Sequence, residues 1–248
     1  MSDREKSVMI HYLGGACGDF LKVCIWLGLT DFEIKSKTDN TIEFSPYGEV
    51  VLNENGRLQT LDAPTNKYND VTRMIRHVME DFVKKKPSSD TFLDIVRNII
   101  ETHVNDNYKS DTITGTDISI INGHEVIEYM RDKNSYASNF YAALSKSFNI
   151  HKNVLVTQYS KNSTRIQYEM SVRKNRFDVV ESLNDYHNKV SNAIRKTEGM
   201  LDNVAVIELE DMMDYNKLSE FLYNEFGIDR DNNNVRLMFK FWKKAQLL

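Results

Sequence analysis

A short apolar run, Val8 to Leu13, ends in Gly14-Gly15-Ala16-Cys17-Gly18 and is followed at once by the apolar stretch Asp19 to Leu29. A strand that enters a tight glycine turn and leaves as a largely buried helix commits the chain to layered sheet-and-helix packing. The composition agrees. Hydrophobic residues make up 41% of the 248 residues and charged residues 27%, enough apolar material for a core and too little charge for wholesale disorder. The whole chain, residues 1–248, reads as one α/β domain.

Between about residues 32 and 61 the pattern changes. FEIKSK, TIEFS, EVVLN and GRLQTL are short, partly alternating segments broken by Asp39-Asn40, Pro46-Tyr47-Gly48 and Asn53-Glu54-Asn55-Gly56. Connections this short cannot hold helical crossovers, so the segment predicts a small antiparallel β-hairpin insertion. Helical spacing returns over 69–86, ending in Lys84-Lys85-Lys86-Pro87, and again after Ser89-Asp90 with the stripe Phe92, Ile95, Val96, Ile99, Ile100 and Val104. Helices also fit 125–131 and 135–148, with a weak strand within 112–121. The last hundred residues alternate more regularly: strands at 153–159, 164–172 and 204–209, helices at 177–195, 217–226 and 234–245. This alternation predicts a mainly parallel sheet.

Acidic residues outnumber basic ones, 36 to 32, for a net charge of -4, and general nucleic-acid binding is not expected. Four positive charges lie on the aromatic helix from Val235 to Lys244, which reads as an amphipathic helix docked on its own domain. The two cysteines, Cys17 and Cys24, make no disulfide framework, and no spaced Cys/His set predicts a metal. MSDREKSV opens the chain without a signal-type apolar core, and nowhere do 18 uncharged apolar residues run together. The expectation is a soluble protein without a transmembrane segment, cytoplasmic or otherwise intracellular. The oligomeric state is not legible.

The glycine turn is the candidate site. Backbone N–H groups in such a turn, backed by a helix N-terminus, hold an anion without a basic side chain. Gly14, Gly15 and Gly18 leave room for a phosphate, Cys17 is a small residue inside the turn, and Lys22 sits one helical turn further on. Asp19 favours the helix start but repels an adjacent phosphate, so it either points away or bonds a hydroxyl or metal. The competing reading is a tight connection with no ligand. GxxxxGK[ST] is absent, which removes the main signature of ATP or GTP hydrolysis.

The order of several segments resembles the P-loop sulfotransferases, in a divergent viral or bacterial branch. His11 to Leu21 is similar to the family's loop around the 5′-phosphosulfate of the cofactor PAPS, with Ala16 where many members carry lysine or arginine and Asp19 in place of threonine. Lys174-Asn175-Arg176-Phe177-Asp178-Val179-Val180-Glu181-Ser182 resembles the segment whose arginine and serine hold the cofactor's 3′-phosphate, with Arg173 as the neighbouring alternative. Val154 to Tyr159 resembles the strand ending in Thr-His, with Gln158 at the histidine position. Asn203 to Met213 resembles the late strand and acidic turn. The resemblance implies a three-layer P-loop-type domain that transfers a sulfuryl group from PAPS to an unknown hydroxyl-bearing acceptor. It implies cofactor contacts from Gly14, Gly15, Cys17, Gly18, Asp19, Arg173, Lys174 and Ser182. Because Gln158 is no general base, His11 and Lys22 become the candidate catalytic residues. The alternatives are a noncatalytic nucleotide- or anion-binding member of the same fold and a structural or protein-interaction module.

Overall fold

A computed structural model describes residues 6–13, 18–29, 33–38, 41–45, 49–52, 58–61, 118–123, 126–127, 150–159 and 182–246, with single helical positions at 91, 94, 95, 98, 141, 142 and 145. The expected helix over 69–86, the expected strand over 164–172, the turn residues 14–17 and the basic pair Arg173 and Lys174 lie outside the described residues. Eight strands are described: β1 (Lys6–His11), β2 (Glu33–Lys37), β3 (Thr41–Ser45), β4 (Glu49–Leu52), β5 (Leu58–Leu61), β6 (Ile118–Asn122), β7 (Ile150–Thr157) and β8 (Val204–Glu208). The bounded helices are α1 (Gly18–Leu29), α2 (Leu183–Met200), α3 (Leu209–Met212), α4 (Tyr215–Phe226) and α5 (Asn233–Gln246).

The molecule is an α/β domain. Its main sheet runs β6-β1-β7-β8, and every pairing in it is parallel. A second sheet, β2-β3-β4-β5, is antiparallel throughout and draws on residues 33–61.

Alternation along the parallel strands sorts the core. Val8, Ile10, Val154, Val156 and Ile207 join one buried cluster with α1, α4 and α5. Leu155 joins another with Leu13, Ile127 and the α2 residues Tyr186, Val190, Ala193 and Ile194. The chain leaves β1 toward β6 on one side and leaves β7 toward β8 on the other. Right-handed crossovers put connections that travel in opposite directions on opposite faces, and α1 and α2 are found so placed. The diverging connections make β1 and β7 a switch point of the sheet, and parallel sheets bind ligands at the C-terminal ends of the strands there.

Local chemistry fixes the helix ends. Ser182, with extended backbone, caps α2 by accepting the Asp185 N–H at 3.1 Å. The sequence pattern placed this helix from residue 177. α2 instead starts after Ser182, whose backbone is extended, and runs on to Met200, with residues 177–181 outside the described residues. Asp214 caps α4, which closes at Gly227 with φ 69, a left-handed conformation that glycine adopts without strain. Lys152 of β7 reaches the other end of α4, where its Nζ donates to the Glu225 carbonyl oxygen at 2.6 Å and to Oε2 at 2.8 Å. A cation there complements the helix dipole.

The aromatic C-terminal helix is held against its own domain. Trp242, 1% exposed, stacks on Phe20 of α1 with ring centroids 3.9 Å apart. Trp242→Ala should therefore cost about 3–5 kcal/mol. Tyr223→Ala, at an exposed position, should stay within about 0.5 kcal/mol. Urea unfolding of both variants checks this, and comparable losses would contradict the packing described.

Candidate functional site

β1 delivers its last residues to this switch point from the middle of the sheet. Its alternation gives two chemically different sides. On the α1 side, Tyr12 follows Ile10 and lays its ring over Gly18. A Cβ added at Gly18 would lie 2.1 Å from the Tyr12 ring. Gly18 is thus required by an aromatic side chain of the same turn, a steric need the sequence pattern had assigned to a phosphate. The Tyr12 hydroxyl donates to Asp19 Oδ1 at 3.3 Å.

Asp19 Oδ1 also lies 3.2 Å from Lys22 Nζ, which sits one turn along the helix. The two ends of this pair differ sharply in environment: the Lys22 side chain is 1% exposed and that of Asp19 is 46% exposed. Asp19 is turned toward solvent, held by Tyr12 and Lys22. Among the described residues Lys22 Nζ has no aligned hydrogen-bond partner. An ammonium has three donors, and burying one with a single ion-pair contact leaves most of its capacity unused.

Gln158 adds a second unused donor. It follows β7 directly, is 4% exposed, and its Nε2 has no hydrogen-bond partner among the described residues. The alternation that sends Val154 and Val156 to the α1 side carries Gln158 to the same side. In the β1–β7 register, His11 pairs with Leu155, three residues before Gln158. Lys22 and Gln158 are thus two buried N–H-bearing side chains on the α1 side of the sheet.

The other side of β1 is different. His11 is completely buried, and its Nε2 lies 2.9 Å from Asn153 Oδ1. Asn153 in turn donates to the Tyr141 hydroxyl at 2.8 Å and the Asp202 carbonyl oxygen at 2.7 Å. With the Asn153 amide oriented this way, Nε2 of His11 is the donor. The imidazole lies against the Gly123 backbone, where an added Cβ would come within 2.5 Å of Nδ1. Burial lowers the His11 pKa to about 4, partly offset by Asn153 and the Gly123 backbone. His11 had been expected as a catalytic base. It faces away from α1, is sealed by Gly123, and holds β1 to β7 inside the core.

Ser182 was expected to meet a 3′-phosphate. Its Oγ donates to Asp185 Oδ2 at 2.6 Å and accepts from the Asp185 N–H, so both roles of the hydroxyl are engaged within the first turn of α2. Gly14, Gly15, Cys17, Arg173 and Lys174 lie outside the described residues. At the end of β8, Glu208 accepts from the Thr157 hydroxyl and, at 2.7 Å, from the Tyr159 N–H. Sequence pattern did not single out this clasp between adjacent strand ends, because it depends on the register that sets Thr157 opposite Glu208. Among the described residues no group of three or more His, Cys, Asp or Glu side chains could hold a metal ion. None of their helices is long and apolar enough to cross a membrane.

No family model, no curated protein and no solved structure matches the chain.

The His11 environment has a measurable consequence. Its native pKa of about 4 lies below the ordinary 6.5, so the unfolded chain takes up the proton first as pH falls. Stability from this residue is complete above pH 6.5 and declines toward pH 4, by about 3 kcal/mol in all. His11→Gln keeps a donor for Asn153 and removes the titration. Urea unfolding at pH 7 and pH 4.5 should show a smaller acid loss in the variant than in the wild type; equal losses would contradict this assignment.

Proposed function

We propose that the chain binds the phosphate end of a nucleotide at the switch point between β1 and β7, within a three-layer P-loop-type domain that carries an antiparallel insertion. The nucleotide is PAPS or its product PAP, and the activity is sulfotransferase-like, passing a sulfuryl group to a hydroxyl acceptor. The observation that carries the reading is Lys22. A buried ammonium with unused donors, at the start of a helix that opens from a glycine turn, suits an anion and little else. Gln158 Nε2 supplies a neutral donor from the neighbouring strand, and the N-terminus of α1 adds its dipole.

The layering is supported by the two core clusters, one shared with α1, α4 and α5 and the other with α2. The identity of the nucleotide rests on the resemblance of the Lys174-to-Ser182 segment. Within it, the 3′-phosphate falls to Lys174 or Arg173, because Ser182 is engaged as a helix cap. The enclosure of His11 favours a second reading, a noncatalytic nucleotide-binding member of the same architecture, since it removes the base nearest the turn.

Calorimetric titration tests the binding. PAP should bind better than 5′-AMP, which lacks the 3′-phosphate, by about tenfold or more, the worth of a charge-assisted contact. Lys22→Met should weaken PAP by a similar factor while the protein stays folded, because it replaces a buried charge by an apolar chain of like length. Ser182→Ala should cost about 1 kcal/mol of stability through the lost cap and leave the PAP preference intact. Equal binding of PAP and 5′-AMP, or none of either, would count against the proposal.

A further inference from the structure

Lys22 and Asp19 form a pair whose two halves differ in freedom. The lysine is fixed: its side chain is 1% exposed and its Nζ is buried. The aspartate is not. Its side chain is 46% exposed, and its contacts with the Tyr12 hydroxyl at 3.3 Å and Lys22 Nζ at 3.2 Å both fall on Oδ1. Among the described residues Asp19 is the one charged partner of Lys22.

That carboxylate does two things a bound phosphate oxygen would do. It neutralises a buried ammonium, and it sets a negative charge in the first turn of α1, where the helix dipole favours one. Two anions cannot fill both roles at once. A phosphate drawn to Nζ would meet the carboxylate at close range, where like charges repel. Lys22 cannot leave, because moving away from its partner strands a buried charge. Asp19 can turn into water on its side-chain torsions, and it gives up only a half-exposed ion pair, which holds weakly.

We infer that Asp19 is a resident counter-ion of the anion site, which the phosphate end of the ligand displaces rather than touches. This rests on the nucleotide reading above and deepens it, by giving the site a threshold. A singly charged anion exchanges one charge at Lys22 for an equal one and gains nothing. A phosphate monoester, such as the 5′ end of PAP, carries about two negative charges at neutral pH and outcompetes the carboxylate. Without ligand, the same carboxylate keeps the ammonium paired. Tyr12, whose hydroxyl donates to Oδ1, is a positioning residue that holds the carboxylate at rest.

Asp19→Asn keeps the size of the side chain and removes its charge. The full chain is titrated calorimetrically with PAP, and melting curves are recorded in sodium phosphate and in sodium chloride of equal ionic strength. The variant should melt below wild type in chloride, because its buried ammonium lacks a counter-ion. Phosphate should raise its melting temperature by about 3 °C more than it raises that of wild type. PAP should bind the variant about fivefold tighter, the worth of an ion pair no longer broken. Tyr12→Phe leaves the ring over Gly18 and releases Oδ1, so it should tighten PAP by about twofold even if the first variant does not fold. Adding Lys22→Met to Asp19→Asn should erase both the phosphate recovery and the gain in affinity. PAP binding that is unchanged or weaker in Asp19→Asn, or weaker in Tyr12→Phe, overturns the inference and leaves the nucleotide reading standing. If neither wild type nor variants bind PAP, the nucleotide reading fails, and the phosphate recovery of Asp19→Asn alone decides: its presence upholds the counter-ion and its absence overturns it.

Discussion

β1 is paired on both edges and covered on both faces, and every described side chain from Ser7 to Leu13 is buried. A central strand of this kind has no side on which to place a misfit. Val8 and Ile10 therefore serve the layer of α1, α4 and α5. Leu13 serves the layer of α2. His11 is held there by the hydrogen bond from its Nε2–H to Asn153 Oδ1, and the Tyr141 hydroxyl and the Asp202 carbonyl in turn accept from Asn153. Fixing β1 in this way fixes the direction in which the glycine turn leaves the sheet, and with it the start of α1.

Much of the architecture was legible because its signals are local. The apolar run before the glycines, the turn residues between the short alternating segments and the stop at Gly227 are each read within a few residues, and most of the described strands and helices stand within a few positions of where the pattern put them. The start of α2 was not read correctly. Nothing in the periodicity distinguishes Phe177 as a beginning, whereas Ser182 three residues before Asp185 is a capping pair that could have been found. The parallel partnership of β1 with β6 was beyond local reading, since their sequence separation is large and the strand signal over 112–121 is weak.

The candidate site divides along the same line. Lys22 at three residues from Asp19 on a helix is visible as a pair, but only packing shows that the lysine is the buried member. His11 looked available because it adjoins the turn in sequence; strand alternation turned it to the other face. Gly18 looked like space for a ligand, and the Tyr12 ring fills it. Gln158 emerges only from the three-dimensional count of polar atoms without partners.

Residue-level mapping of the ligand tests the central claim most directly. In a PAP titration of 15N-labelled protein, the account predicts that shift changes concentrate on the backbone amides of residues 14 to 22 and on the side-chain amide of Gln158. Changes centred on Lys152 and Asn203, at the opposite edge of the sheet, or none at saturating PAP, would contradict it.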